Sequence, residues 1–136
     1  MYRIPPIALV FVLSAAAMLI GCDATPIPAP GDPYSGGNYP QINLMQDIKG
    51  DVVADGPIVT IGPTAPMSVQ VPLRNTTHDD LNIQYRFVFF DAAHRELLPD
   101  TGWQRLTLPS SAQRMATGSA LDMNAADWRL DIQAAR

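Results

Sequence analysis

The chain predicts an all-β fold, an antiparallel β-sandwich of immunoglobulin-like architecture with about seven strands, on three observations. From Leu81 to Asp91, the residues Leu81, Ile83, Tyr85, Phe87 and Phe89 recur at period two against Asn82, Gln84 and Arg86. Such alternation, rich in aromatic and β-branched side chains, marks a half-buried strand. Turn-forming residues then return about every ten positions through the rest of the chain, the spacing of short strands in a sandwich. Finally, thirteen Pro and nine Gly accompany a single Lys (Lys49) and a single Glu (Glu96), a composition poor in helix formers.

The first 21 residues read as a removable targeting segment. Met1-Tyr2-Arg3 is a short positive start, and Ile7 to Ile20 is apolar except for Ser14. Those fourteen residues would span about 21 Å as a helix, short of the roughly 30 Å hydrocarbon core, which suits a signal peptide better than a membrane span. The segment closes Leu19-Ile20-Gly21-Cys22, which resembles the bacterial lipobox. The resemblance implies cleavage after Gly21 and lipidation of Cys22, whose thiol takes the lipid. The chain's only cysteine stands at that position, so an internal disulfide is excluded. Asp23, next in line, resembles an inner-membrane retention signal, and the choice between inner and outer membrane stays open. Residues 22–40 form the acylated cysteine and a linker: Asp23 to Pro40 holds five prolines and three glycines, a spacer composition that no helix or central strand tolerates. A Pro-rich ligand for another domain is the other reading of this stretch.

Residues 41–136 are expected to form one small domain with a single core. Gln41 to Leu44 reads as a short first strand. Lys49 to Ala54 and Pro57 to Ile61 follow, with Asp55-Gly56 between them as a hairpin turn. Met67 to Arg74 turns Val69, Val71 and Leu73 inward, and Pro72 implies that this strand lies at an edge or has a bulge there. The polar run Asn75 to Asp80 is expected to join it to the Leu81 strand as an antiparallel hairpin. Past a turn at Asp91 to Arg95, Trp103 to Leu108 and Arg114 to Leu121 supply two further strands. Asp122 caps a single helical turn through Ala126, and Trp128, Leu130 and Ile132 point inward from the last strand.

Val69 to Asn75, Tyr85-Arg86-Phe87, Phe90-Asp91, Arg95-Glu96-Leu97, Gly102-Trp103-Gln104 and Asp127-Trp128-Arg129-Leu130 together resemble the YcfL family of small envelope lipoproteins. The similarity runs roughly from Tyr39 to Arg136. It departs at the Asp91 turn, where a glycine is expected near Ala93-His94. The resemblance implies fold and location rather than chemistry, because the family has no assigned activity. Genes of this family lie in some genomes beside a lipoprotein that activates peptidoglycan synthases, which implies an envelope-assembly context.

The residues themselves point away from catalysis. Ser110 or Ser111 with a histidine and an aspartate would be needed for serine hydrolysis, and no Gly-x-Ser-x-Gly elbow occurs. Glu96 with a nearby Asp could imitate a glycosidase pair, but beside Arg95 it reads as half of a surface ion pair. His78, Asp79 and Asp80 are the weak candidates for a metal, without further ligands at suitable spacing; otherwise they form a solvated turn. His94 fits a left-handed turn position. No cofactor is expected beyond the covalent lipid on Cys22. The formal charge of −4, or −5 without Arg3, argues against nucleic acid as a partner.

The outward residues carry the functional expectation. Arg86, Arg105 and Arg129 all point away from the core, Trp103 shares the side of Arg105, and Val88 with Phe90 lies opposite Phe87 and Phe89. If those sides coincide, they make an aromatic and arginine surface of the kind enriched at protein interfaces. Otherwise Val88 and Phe90 pack under the Tyr39 to Leu44 segment and the arginines serve solubility. The expected protein is a non-enzymatic, lipid-anchored envelope module facing the periplasm and binding another envelope protein. The alternative is a periplasmic carrier of a small ligand or metal.

Overall fold

The structure, a computed structural model, describes residues 39–136. The expected signal segment, Cys22 and most of the linker lie outside the described residues. Nine strands follow in order: β1 (Ile42–Leu44), β2 (Val52–Ala54), β3 (Ile58–Thr60), β4 (Ser68–Asn75), β5 (Leu81–Phe90), β6 (Glu96–Leu97), β7 (Gln104–Leu108), β8 (Gln113–Ser119) and β9 (Asp127–Ala134). They form two facing sheets, the sandwich the sequence predicts. The larger sheet runs β1-β9-β5, with β6 and β7 both on the far side of β5. In the smaller sheet, β4 is flanked by β8 on one side and by β2 and β3 on the other. Every strand pairing is antiparallel except β1 with β9, which is parallel.

β5 organises the molecule because both of its faces are covered near its C-terminal half. Phe87, Val88 and Phe89 are buried in succession. Phe87 stacks near Phe89 at 6.2 Å, meets Tyr85 edge-on at 6.0 Å and lies 6.1 Å from Trp128 of β9. Across the sandwich, Val69, Val71 and Leu73 of β4 face Ile83, Phe87, Leu130 and Ile132, all fully buried. Burying each such side chain stabilises the fold by about 1.5–3 kcal/mol. Gly118 of β8 presses on this layer so closely that a Cβ there would overlap the Phe87 ring.

The strand faces follow the alternation, but two of the expected pairings do not. β4 and β5 do not form a hairpin; they lie in different sheets, and the residues between them arch across the sandwich. Asn75 causes this. It continues the inward parity of Val69, Val71 and Leu73 and is 1% exposed. Its Nδ2 donates to the carbonyls of Asp79 (2.7 Å), Leu108 (3.0 Å) and Pro109 (3.2 Å), while Oδ1 accepts from Thr77 N–H and Oγ1–H at 2.8 Å. One side chain thus ties the β4–β5 arch to the neighbouring β7–β8 arch, and each arch leads from one sheet to the other.

Asp55-Gly56 does not turn a hairpin either. β2 and β3 run along the same edge of β4, and Ala54 pairs Leu73 while Ile58 pairs Gln70. Residues 55–57 therefore stand opposite only two residues of β4, a bulge in one interrupted lane. Asp55 N–H donates to Pro72 O at 2.9 Å. The nitrogen of Pro72 faces the same side as its carbonyl, so its missing donor falls at the bulge and no ladder bond is lost. Pro72 thus sits in a central strand with the bulge on its neighbour.

β6 and β7 share a lane in the same way. Residues 98–103 loop out between them, and Thr101 spans the gap by accepting Phe87 N–H at its Oγ1 (2.9 Å) and donating its own N–H to Phe87 O (3.3 Å). Nine strands thereby occupy seven lanes. The segment after Asp122 is a turn rather than a helical one: Asp122 Oδ1 accepts Asn124 N–H at 2.8 Å, the expected cap without a helix behind it. His94 does take the left-handed position, with φ 57°, where the family resemblance leads one to expect glycine.

Candidate interaction face

Strand register assembles the face. On the side of the larger sheet turned away from the core, Arg86 of β5 pairs with Asp131 of β9, and Asp131 pairs in turn with Asn43 of β1. Val88 pairs with Arg129 and Phe90 with Asp127. Asp131 is 3% exposed although it points outward, because it is roofed by its own partners. Its carboxylate accepts Asn43 Nδ2–H (3.2 Å), Arg86 Nε–H (3.3 Å), and Arg129 Nε–H (3.2 Å) and Nη2–H (3.3 Å). A buried carboxylate needs this density of donors to offset its desolvation.

Both arginines then reach outward to an aromatic ring. Arg86 lies 4.9 Å over Trp103 and also pairs with Asp100 at 3.3 Å; Arg129 lies 5.7 Å over Phe90. The result is a continuous band, Trp103–Arg86–Asp131–Arg129–Phe90, whose cations are held in place by charge pairing below and π faces beside them. Trp103 is 40% exposed, and Phe90 is half-buried. Beside Phe90 a recess of about 410 Å³ opens between Pro40, Gln41, His94, Asp127 and Arg129. His94 Nδ1 stands 3.9 Å from Asp127 Oδ2 there.

Of the residues singled out from sequence, the structure brings Arg86, Phe90, Trp103 and Arg129 together. Two belong differently. Val88 is on this face but 1% exposed, so it supports the band from beneath and offers nothing to a partner. Arg105 shares the face one row away, where Nη2 donates to the carbonyl of Arg136 at 3.1 Å outside the Asp131 network. Gln41 and Pro40 do stand beside Phe90, as the covering alternative required, yet Phe90 keeps partial exposure.

Asp131, Asn43 and Asp100 are the residues that sequence reasoning missed. Asp131 sits two places after Arg129 on the same face, a visible signal, but only the β5–β9 register shows that Arg86 meets it. The remaining candidates lie elsewhere. His78, Asp79 and Asp80 are exposed on the β4–β5 arch, and Asp80 Oδ1 accepts Ser110 N–H at 2.9 Å. Among the described residues no three His, Cys, Asp or Glu side chains gather as metal ligands. Arg95 pairs not with Glu96 but with Asp91, at 2.8 Å. Asp91 also accepts the N–H groups of Arg95 (3.0 Å) and Ala93 (2.9 Å). The Arg95 amide above all, helped by its guanidinium and by Ala93, holds the Asp91 carboxyl below its ordinary range against a smaller opposing effect of burial.

The architecture places the chain among small two-sheet β-sandwich domains. Within them it belongs to the family described as "Protein of unknown function (DUF1425)", whose model matches residues 58–134. The fold is similar to the crystal structure of Campylobacter jejuni cj0090, at 20% identity and a TM-score of 0.61, covering 70% of this chain and 98% of that one. It is also similar to a DUF1425 family member from Shewanella sp. pv-4, at 18% identity and a TM-score of 0.55, covering 62% of this chain and 79% of that one. At such identities the likeness is one of fold. A search of curated proteins returned no match.

Proposed function

We propose that this protein is a non-enzymatic accessory module of the bacterial envelope, anchored by lipid on Cys22, facing the periplasm, and binding another envelope protein through the outer face of the larger sheet. Within the DUF1425 family, the YcfL lipoproteins are the members it resembles, and envelope assembly is the proposed context. The observation that carries the reading is the band from Trp103 to Phe90. Two arginines and the Phe90 ring stand on the sheet around one buried carboxylate, with the Trp103 ring beside them where the chain enters β7. Preorganised Arg and aromatic groups lose little conformational freedom on association, which is why they dominate interface hot spots.

The test is a crosslinking pull-down from intact envelopes with the lipidated protein tagged after Arg136. The reading expects one protein captured reproducibly, and lost with Phe90→Ser or Trp103→Ala while the melting temperature holds. Capture undiminished by either substitution would contradict it. The anchor is checked separately by mass spectrometry: a mature Cys22 peptide without acyl chains would overturn it.

A further inference from the structure

We propose that the end of the sandwich where the chain enters the domain rests against the bilayer, with Ile61, Leu98, Leu121 and Met123 seated in the interfacial layer of a zwitterionic phospholipid surface. The inference rests on the lipid anchor proposed at Cys22, and deepens it by giving the domain an orientation.

The ladder registers identify the two ends. Phe90 pairs with Glu96 and Asp127, and Ser68 pairs with Thr60 and Ser119; because the arch joins the other ends of β4 and β5, from Asn75 to Leu81, all of these residues share the end opposite it. The chain arrives at that same end: Pro40 and Gln41 flank Phe90, and Leu130 N–H donates to Gln41 O at 2.8 Å. The loops there expose Leu98 (80%), Leu121 (78%), Ile61 (66%) and Met123 (53%). Leu98, Leu121 and Met123 rim a recess of about 430 Å³ floored by Phe89 and Leu97. At the opposite end the arches carry Thr76, Thr77, His78, Asp79, Ser110 and Ser111, and among the described residues no large hydrophobic side chain is exposed in them. Among the described loops, the exposed large hydrophobic side chains therefore gather at the tethered end and are absent from the arches of the far one.

Where the tether enters decides what that apolar end meets. Sixteen residues, 23–38, separate Cys22 from Tyr39. At about 3.3–3.6 Å per residue when fully extended they set an upper limit on the order of 55 Å on the distance between the anchor and the domain. An exposed apolar cluster held close to a bilayer buries itself there. Charge selects the lipid. Asp122, Asp127 and Glu96 outnumber the cations of these loops, where Arg95 is already paired with Asp91. Attraction to anionic headgroups is thus absent, and binding is expected to be insensitive to salt.

The experiment uses the full acylated chain in phosphatidylcholine vesicles. Because the sole native cysteine carries the lipid, a nitroxide attaches only to an introduced thiol, Leu121→Cys or Leu98→Cys, with Thr77→Cys as the far-end reference. Both leucines are too exposed for these substitutions to disturb the core. The expected result is a severalfold higher ratio of oxygen to nickel-complex accessibility at Leu121→Cys and Leu98→Cys than at Thr77→Cys, unchanged between 0.1 and about 1 M salt. Equal ratios at both ends, in protein that floats with vesicles and carries acyl mass, would overturn the orientation and leave the anchor standing. Protein that lacks acyl mass and does not float would overturn the anchor and the orientation together.

Discussion

On the outer face of the larger sheet, Arg86 and Arg129 lean on one buried carboxylate and cover two aromatic rings. The outer face of the smaller sheet presents Gln70, Pro72, Met115 and Thr117, with Arg74 reaching Gln113 at 3.3 Å near its edge. The two faces cover the same core and belong to strands of similar length, yet one fixes its polar groups and the other leaves amides and hydroxyls to water. The difference shows how a small sheet acquires a rigid surface. A row of cross-strand partners, Asn43, Asp131 and Arg86, converts flexible side chains into a fixed pattern, at the cost of an acid that depends on every donor around it.

The largest effect should come from the bond set that holds the two sheets, and so the two faces, in relation. Asn75→Ala removes the donor to three carbonyls, that of Leu108 buried, and unties the two arches, so denaturant unfolding should show a loss of about 2–4 kcal/mol. Gly118→Ala should cost about 1–3 kcal/mol by forcing the Phe87 ring aside beneath both faces. Asp131→Ala distinguishes the faces directly. With its arginines partly solvated, the loss should be about 1–3 kcal/mol, against less than about 0.5 kcal/mol for Gln70→Ala on the other sheet. Equal costs would dissolve the contrast.

The smallest effect concerns the loop at the edge of the charged face. Asp91 has a lowered carboxyl pKa in the folded chain, so its contribution is present above the ordinary aspartate value and is lost as pH falls through the lower, folded one. Below about pH 4 the amides of Ala93 and Arg95 should therefore exchange faster relative to the β5–β9 ladder, and Asp91→Ala should show that exchange already at neutral pH.

Much of this was legible in the chain because period two states which way a side chain points. The inward residues of β4, β5 and β9 and the outward parity of Arg86, Phe90, Trp103 and Arg129, each on its own segment, followed from alternation; that they share one face did not. Alternation does not state which strand is the neighbour. Val69, Val71 and Leu73 match Ile83, Tyr85 and Phe87 equally well as lateral or as facing partners. The deciding residue was Asn75, whose inward parity was readable but whose five hydrogen bonds were not. Asp55-Gly56 carried a hairpin signal, yet it forms a bulge opposite Pro72 in the adjacent lane. Asp131 stayed hidden for the same reason: an outward aspartate is ordinary until register sets two arginines and an asparagine upon it.

The most direct test of the binding face is site-specific photocrosslinking in intact cells, with a photoreactive phenylalanine analogue at Trp103 or Arg105 on the larger sheet and at Gln70 or Thr117 on the smaller one. The account predicts one discrete protein adduct from the first pair and none from the second. The same adducts from both faces, or adducts only from Gln70 and Thr117, would contradict it.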